Sequence, residues 1–371
     1  MKKIFIKLLL ALLTLVMIGM MLVACGSKEN NTEMVDAEGI EEDLVQEEKD
    51  VSSEGQTDLS ASIDETTTNI WGECGTDMRW YLQDGIMVIR GTGQMSDSEE
   101  WEIYKEEIKS IIVESGVSNI TSSAFWDCHN LVDVTILGDF RRIEANAFRN
   151  CTNLETVILP ESVTHIDDGA FSDCESLVNF EMPNQLKQIG SGAFARTSVI
   201  EVSIPASVNS IGSQAFTECE ALTKVVILDG VTWIDLGAFK GCINLMEVVI
   251  PESVTKIDNV AFENCTSLVE IVIPDSVTEL GDNVFRGCTS LERIKLPEGI
   301  TVIKDYLFEN CTSLKEVIIP NNVTEIMWGV FKGCTSLQRV EIKNADVAIQ
   351  NNNAFPSGTC VVIGGKEKIW E

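Results

Sequence analysis

The sequence predicts an α/β solenoid: a single file of 23-residue coils, with a parallel sheet along one side and a turn plus short helical segment closing each coil. Three observations predict it. Phenylalanine recurs at Phe125, Phe148, Phe171, Phe194, Phe216, Phe239, Phe262, Phe285, Phe308 and Phe331, at steps of 23 residues except the 22 between Phe194 and Phe216. A β-branched run ended by proline recurs once per period, as in Glu270-Ile271-Val272-Ile273-Pro274. Cysteine usually follows the phenylalanine by three residues, and leucine follows the cysteine by three. A fixed period of this length marks units too small to bury their apolar side alone, which stack so that each contacts only its neighbours.

At the N-terminal end, Lys2, Lys3 and Lys7 precede an apolar run over residues 8–21 and then Leu22-Val23-Ala24-Cys25. A charged start, a short apolar stretch and small residues before a cut site describe an export signal over residues 1–25. The run is too short for a comfortable spanning helix. Leu-Val-Ala before Cys25 resembles a bacterial lipobox, which implies cleavage there and diacylglycerol on the Cys25 thiol. The alternative is an ordinary secretory peptide with an incidental cysteine; both place the chain outside the cytoplasm, and only the first anchors it stably to a membrane.

Residues 26–69 are rich in Glu, Asp, Ser and Thr, with no aromatic residue. Such a segment buries too little apolar surface to offset its ordering entropy, so it is expected to be a disordered acidic tether. Residues 70–107 are expected to form a β-hairpin cap, because Asp84-Gly85 separates two alternating strands within Trp80 to Gly93. The net charge of −31, from 27 Lys+Arg against 58 Asp+Glu, argues against nucleic acid.

Residues 108–343 carry the repeats. In the stretch beginning at Cys265, Ile271 and Ile273 should face inward while Glu270 and Val272 face out, and Pro274 ends the strand because it has no amide hydrogen. Val277, Leu280 and Phe285 line the rest of the coil. The residue before each cysteine is Asp127, Asn150, Asp173, Gly241, Asn264, Gly287, Asn310 or Gly333, with Glu218 the exception. These types tolerate a left-handed backbone and are expected to end the helical turn. Around Ala195-Arg196-Thr197-Ser198-Val199 one residue and the cysteine are missing. After Phe331 the pattern decays through Ala354-Phe355 and Cys360-Val361-Val362-Ile363, so residues 344–371 read as a closing cap.

The pattern Cys-x-x-Leu-x-x-Val/Ile-x-Ile-Pro-x-x-Val-x-x-Ile-x-x-x-Ala-Phe resembles the repeat of the BspA-like leucine-rich repeat family of bacterial surface proteins. The resemblance implies a right-handed arc with its sheet on the concave side and short helical or irregular segments outside. It also implies surface display and attachment to macromolecules of a host or a neighbouring cell.

Nine cysteines share one register: Cys128, Cys151, Cys174, Cys219, Cys242, Cys265, Cys288, Cys311 and Cys334. They are expected to form a buried thiol column, because parallel side chains on stacked coils give poor disulfide torsions. No metal site is expected, since the only histidines, His129 and His165, lie more than one repeat apart and no Cys-x-x-Cys pair occurs. Cys128 beside His129 makes a poor nucleophile pair, and Asp167-Asp168 read as solvated turn residues. Neither catalysis nor a cofactor is expected.

The concave face is the candidate site. By alternation its middle column includes Ile158, Val226, Val249, Val272, Lys295 and Ile318, of which the three valines form a contiguous apolar strip. The next outward column, including Lys224, Glu247, Glu270, Arg293, Glu316 and Arg339, gives the strip a charged border, as partner surfaces often have. Plain β-propensity would also place valine there. The expected partner is a protein on a host or neighbouring cell; the alternative is a cell-wall or host glycan, which would favour exposed aromatics on the concave columns. Trp126, Trp233 and Trp328 fit no column.

Overall fold

The computed structural model describes residues 70–96, 100–350 and 354–371. The expected leader, its Cys25 and the acidic tether at 26–69 lie outside the described residues. From Ser110–Val113 onward the chain is a parallel solenoid in which the main strands of successive coils pair in register over three stretches, for example Glu316↔Arg339 through Ile319↔Ile342. At one end, β1 (Ile70–Gly75), β2 (Met78–Gln83) and β3 (Ile86–Gly91) are antiparallel, and β3 continues parallel onto Ser110–Val113. Asp84 and Gly85 turn the β2–β3 hairpin with φ of 51° and 83°, the mirror-image turn that matches strand twist. At the other end, Lys366–Ile369 folds back antiparallel on Cys360–Ile363.

Alternation along the main strand sorts the side chains as read. Ile271 and Ile273 are buried, whereas Glu270 and Val272 are exposed. A second strand column, unforeseen in the sequence, runs through pairs such as Arg142–Ile143, His165–Ile166 and Gln188–Ile189. Each of these strands is only two residues long and places a single apolar residue in the core, so it leaves no alternation to read.

The expected short helical turns are not formed; the only helix among the described residues is a 3-10 turn at Glu102–Tyr104. The cause is a second left-handed position. Besides the residue before the cysteine (Asp127 φ 62°, Asn150 φ 61°, Glu218 φ 57°), the residue two before each phenylalanine is also left-handed, as at Asn146 (φ 56°) and Gly237 (φ 60°). This breaks the i→i−4 ladder of an α-helix. Alternate amides instead donate to the following coil: Asn146 N to Asp168 O, Phe148 N to Ala170 O and Asn150 N to Ser172 O, each at 2.8 Å. The amides between them close four-residue turns, as from Ala147 N to Glu144 O.

Inside, the phenylalanine rings stack at centroid distances from 5.3 Å for Phe194–Phe216 to 5.9 Å for Phe285–Phe308. Trp101 extends the column, stacking on Phe125 at 5.8 Å and donating its indole N–H to Ala124 O at 2.7 Å. The thiols form a parallel column, and from Cys151 onward each donates to the carbonyl of the phenylalanine one coil back, as from Cys151 Sγ to Phe125 O at 3.1 Å and from Cys334 Sγ to Phe308 O at 3.0 Å. The nine cysteines of the register are fully buried and unbridged. Native protein is therefore expected to leave them unalkylated by iodoacetamide at pH 8, and denatured protein to label them all, as read by intact mass.

At the irregular coil, Thr197 occupies the cysteine position. Its hydroxyl donates to Phe194 O at 2.9 Å and lies 3.4 Å from Cys219 Sγ. The missing residue therefore falls after that position. In the same coil Phe180 stands where other coils have valine or isoleucine, its ring packed 5.3 Å from Phe171 and 4.7 Å from Phe194. The main sheet is interrupted there.

Two further interruptions coincide with a change in buried side-chain volume. The residue before the phenylalanine is alanine from Ala124 to Ala261, then Val284, Leu307 and Val330. Ring spacing rises where these larger buried side chains begin, from 5.5 Å at Phe239–Phe262 to 5.9 Å at Phe262–Phe285 and Phe285–Phe308, and returns to 5.6 Å at Phe308–Phe331. The first widened step coincides with loss of the main ladder between Glu247–Val249 and Glu270–Val272. The second coincides with loss of the short-strand ladder between Glu279–Leu280 and Val302–Ile303.

Candidate partner-binding face

The outward column of the main sheet is exposed at Ile158 (53%), Val249 (44%), Val272 (59%) and Ile318 (46%). Val226 is half-buried. Val226 and Val249 pair in register, but the ladder break separates Val249 from Val272. The predicted strip is therefore two exposed valines flanking a seam, with a half-buried third. Ile158 lies apart, beyond the interruption at Phe180.

The charged border divides into committed and uncommitted groups. Lys224 Nζ is 2.9 Å from Glu247 Oε1, and this hydrogen-bonded carboxylate raises the ammonium pKa above its ordinary value. Glu316 lies 3.4 Å from Arg339. Lys295 Nζ reaches Asp275 at 3.0 Å and holds that carboxyl below the usual range. Glu270 and Arg293 face each other in register yet make no ion pair among the described residues. They stand beside Val272 and Lys295, two residues along the same strands and on the same face.

Two depressions open on this face. One of ≈ 340 Å³ lies where Phe180 interrupts the sheet, lined by Glu181, Met182, Glu201, Lys224 and Val226 among others. The second, ≈ 310 Å³, is lined by Arg293, Lys295, Glu316 and Ile318. The sequence reading missed the first, although an aromatic residue in a valine column next to a deletion is a legible signal.

Cys128, Asp167 and Asp168 are engaged in packing or hydrogen bonds. Burial pushes the Cys128 thiol well up, and no hydrogen bond joins it to His129 among the described residues. Asp167, expected to be solvated, is buried with Arg142 Nε at 2.7 Å, because the second strand column places Arg142 one coil before it. Asp168 accepts the amide of Ser191 at 2.7 Å. No group of three or more His, Cys, Asp or Glu among the described residues could hold a metal ion.

Residues 102–223 and 232–360 match the BspA type leucine rich repeat region, in 6 copies. The chain belongs to the BspA-type leucine-rich repeat family. Two crystal structures of leucine-rich repeat proteins share its fold. That from Eubacterium ventriosum is 22% identical with a TM-score of 0.51, over 80% of this chain and 94% of that one. That from Bacteroides ovatus is 25% identical with a TM-score of 0.50, over 78% and 90%. No curated protein matches the chain. For this leucine-rich repeat protein the outward main-sheet face presents apolar, acidic and basic side chains at equivalent positions of successive coils, as at Val272, Lys295 and Ile318.

Proposed function

We propose that this leucine-rich repeat protein is a surface-displayed, non-catalytic adhesion module that recognises a protein on a host or neighbouring cell through the outward face of its main sheet. The observation that carries the reading is the exposure of Val249 and Val272 beside the uncommitted Glu270 and Arg293. Apolar side chains that no coil covers, next to charges that make no ion pair among the described residues, suit the anchor and orienting contacts of a protein interface. Solenoids stack these positions into an extended surface. Display outside the cell, on a membrane anchor at Cys25, rests on the leader and the lipobox resemblance. Among the described residues no helix is long and apolar enough to cross a membrane.

Val249→Glu combined with Val272→Glu is expected to leave the circular dichroism spectrum and melting temperature nearly unchanged, since both side chains already point to water. Attachment of beads carrying the full-length chain to target cells should fall by about tenfold or more. Undiminished attachment would remove this face from consideration. Independently, Cys25→Ala should move the chain from the membrane fraction to the medium; retention at the membrane would refute the lipid anchor.

A further inference from the structure

The widened steps have a second consequence on the short-strand side. Where the ladder between Glu279–Leu280 and Val302–Ile303 is lost, a groove of ≈ 390 Å³ opens, lined by Lys256, Asn259, Glu279, Asp282, Thr301 and Lys304. Just beyond Lys304 the chain carries an exposed aromatic pair. Tyr306 and Trp328 belong to successive coils, are 36% and 51% exposed, and are joined by a 2.9 Å hydrogen bond from Tyr306 N to Trp328 O.

Tyr306 is held at a cost. It has φ of 54° in the column that elsewhere holds Asn, Gly, Ser or Gln as well as Val260, and a bulky residue there is a genuine backbone outlier. Strain of this kind persists where the surrounding structure over-determines it, often at binding surfaces. The next coil presents Gly329 directly beneath the tyrosine ring: a methyl group there would lie 2.4 Å from Tyr306 Cε1. The glycine leaves the ring room to lie against the backbone, while Lys332 Nζ sits 5.8 Å from its centroid.

In the column that ends at Trp328 runs a line of oriented polar side chains. Asn259 Oδ1 accepts the amide of Asp282 at 2.7 Å, Asp282 Oδ1 that of Asp305 at 3.0 Å, and Asp305 Oδ1 that of Trp328 at 2.8 Å. Each carboxylate is fixed through one oxygen, and its second oxygen has no hydrogen-bond partner among the described residues. Lys304 makes no ion pair among them either.

We propose that Tyr306 and Trp328, with Asp282, Asp305 and Lys304, form a binding site for a neutral, flat oligosaccharide. Such a ligand offers C–H faces that cover exposed aromatic rings and hydroxyls that donate to fixed carboxylate oxygens and accept from an ammonium. A shallow cleft with few, well-placed polar groups beside aromatic surface is the usual construction of such sites. The two aspartates and the net charge of −31 disfavour an acidic sugar. The site is separate from the main-sheet face and does not depend on its role.

Calorimetric titration of the full-length chain with cellotetraose, chitotetraose and tetragalacturonate tests the assignment. At least one of the two neutral tetrasaccharides should bind and the acidic one should not. Trp328→Ala and Tyr306→Gly should each weaken binding by about tenfold or more. Tyr306→Gly should keep or raise the melting temperature, because glycine adopts the left-handed conformation freely; lost binding then cannot be ascribed to unfolding. The Val249→Glu, Val272→Glu variant should bind sugar as the parent does. Absence of binding by both neutral probes, binding of the acidic probe alone, or equal affinity in the Trp328 and Tyr306 variants would overturn the proposal.

Discussion

Replacing Phe239 by alanine is expected to destabilise the array by about 3–5 kcal/mol and to split its unfolding into two transitions. The Phe239 ring is wholly buried, with those of Phe216 and Phe262 each 5.5 Å away. Deleting it removes both stacking contacts and leaves a cavity at a step that no distant part of the chain can bridge. In a quasi-one-dimensional stack, stability is a sum of coil and nearest-neighbour terms, so a weakened joint near the middle lets the two halves melt separately. Urea unfolding followed by circular dichroism, with hydrogen exchange resolving the two sides, provides the measurement. A single cooperative transition shifted by less than about 1 kcal/mol would contradict the single-file packing.

The second large effect is alkaline instability. Burial raises the thiols of Cys74, Cys288 and Cys334 to about 12 and that of Cys219 to about 11, against an ordinary 9.0. The folded chain holds these protons more tightly than the unfolded one, so their contribution is whole below pH 9 and is lost as the pH rises through 9 toward 11–12. Each such thiol removes roughly 1.4 kcal/mol per pH unit in that window, and several act together. Melting temperatures measured between pH 8 and 10.5 should fall steeply, and Cys288→Ala should show a shallower fall than its parent. A flat profile, or identical slopes in the two proteins, would exclude the thiol column as the cause.

Particular positions show what could be read in advance. Ile271 in and Val272 out followed from strand alternation alone, and the left-handed residue before each cysteine except Cys219 followed from its Asn, Asp or Gly identity. The outer turn was misread as helical because Asn146 and Gln214 look like ordinary helix-surface residues until their positive φ is known. At the candidate face, the outward identity of Val249, Glu270 and Arg293 was legible. Which border charges were already neutralised was not, since the Lys224–Glu247 pair depends on how two coils bring long side chains together.

The sequence by itself determined whatever every coil repeats: the period, the phenylalanine and cysteine columns, the faces of the main strand and one of its two left-handed positions. Those features are local, and each coil encodes them within its own residues. Only the tertiary structure decided what lies between coils. Where Val284 and Leu307 replace alanine the rings stand a few tenths of an ångström further apart and two ladders are interrupted, at a seam beside Val272 and a groove near Tyr306. Spacing between neighbours is a property of packed volumes, which exist only once the coils have stacked.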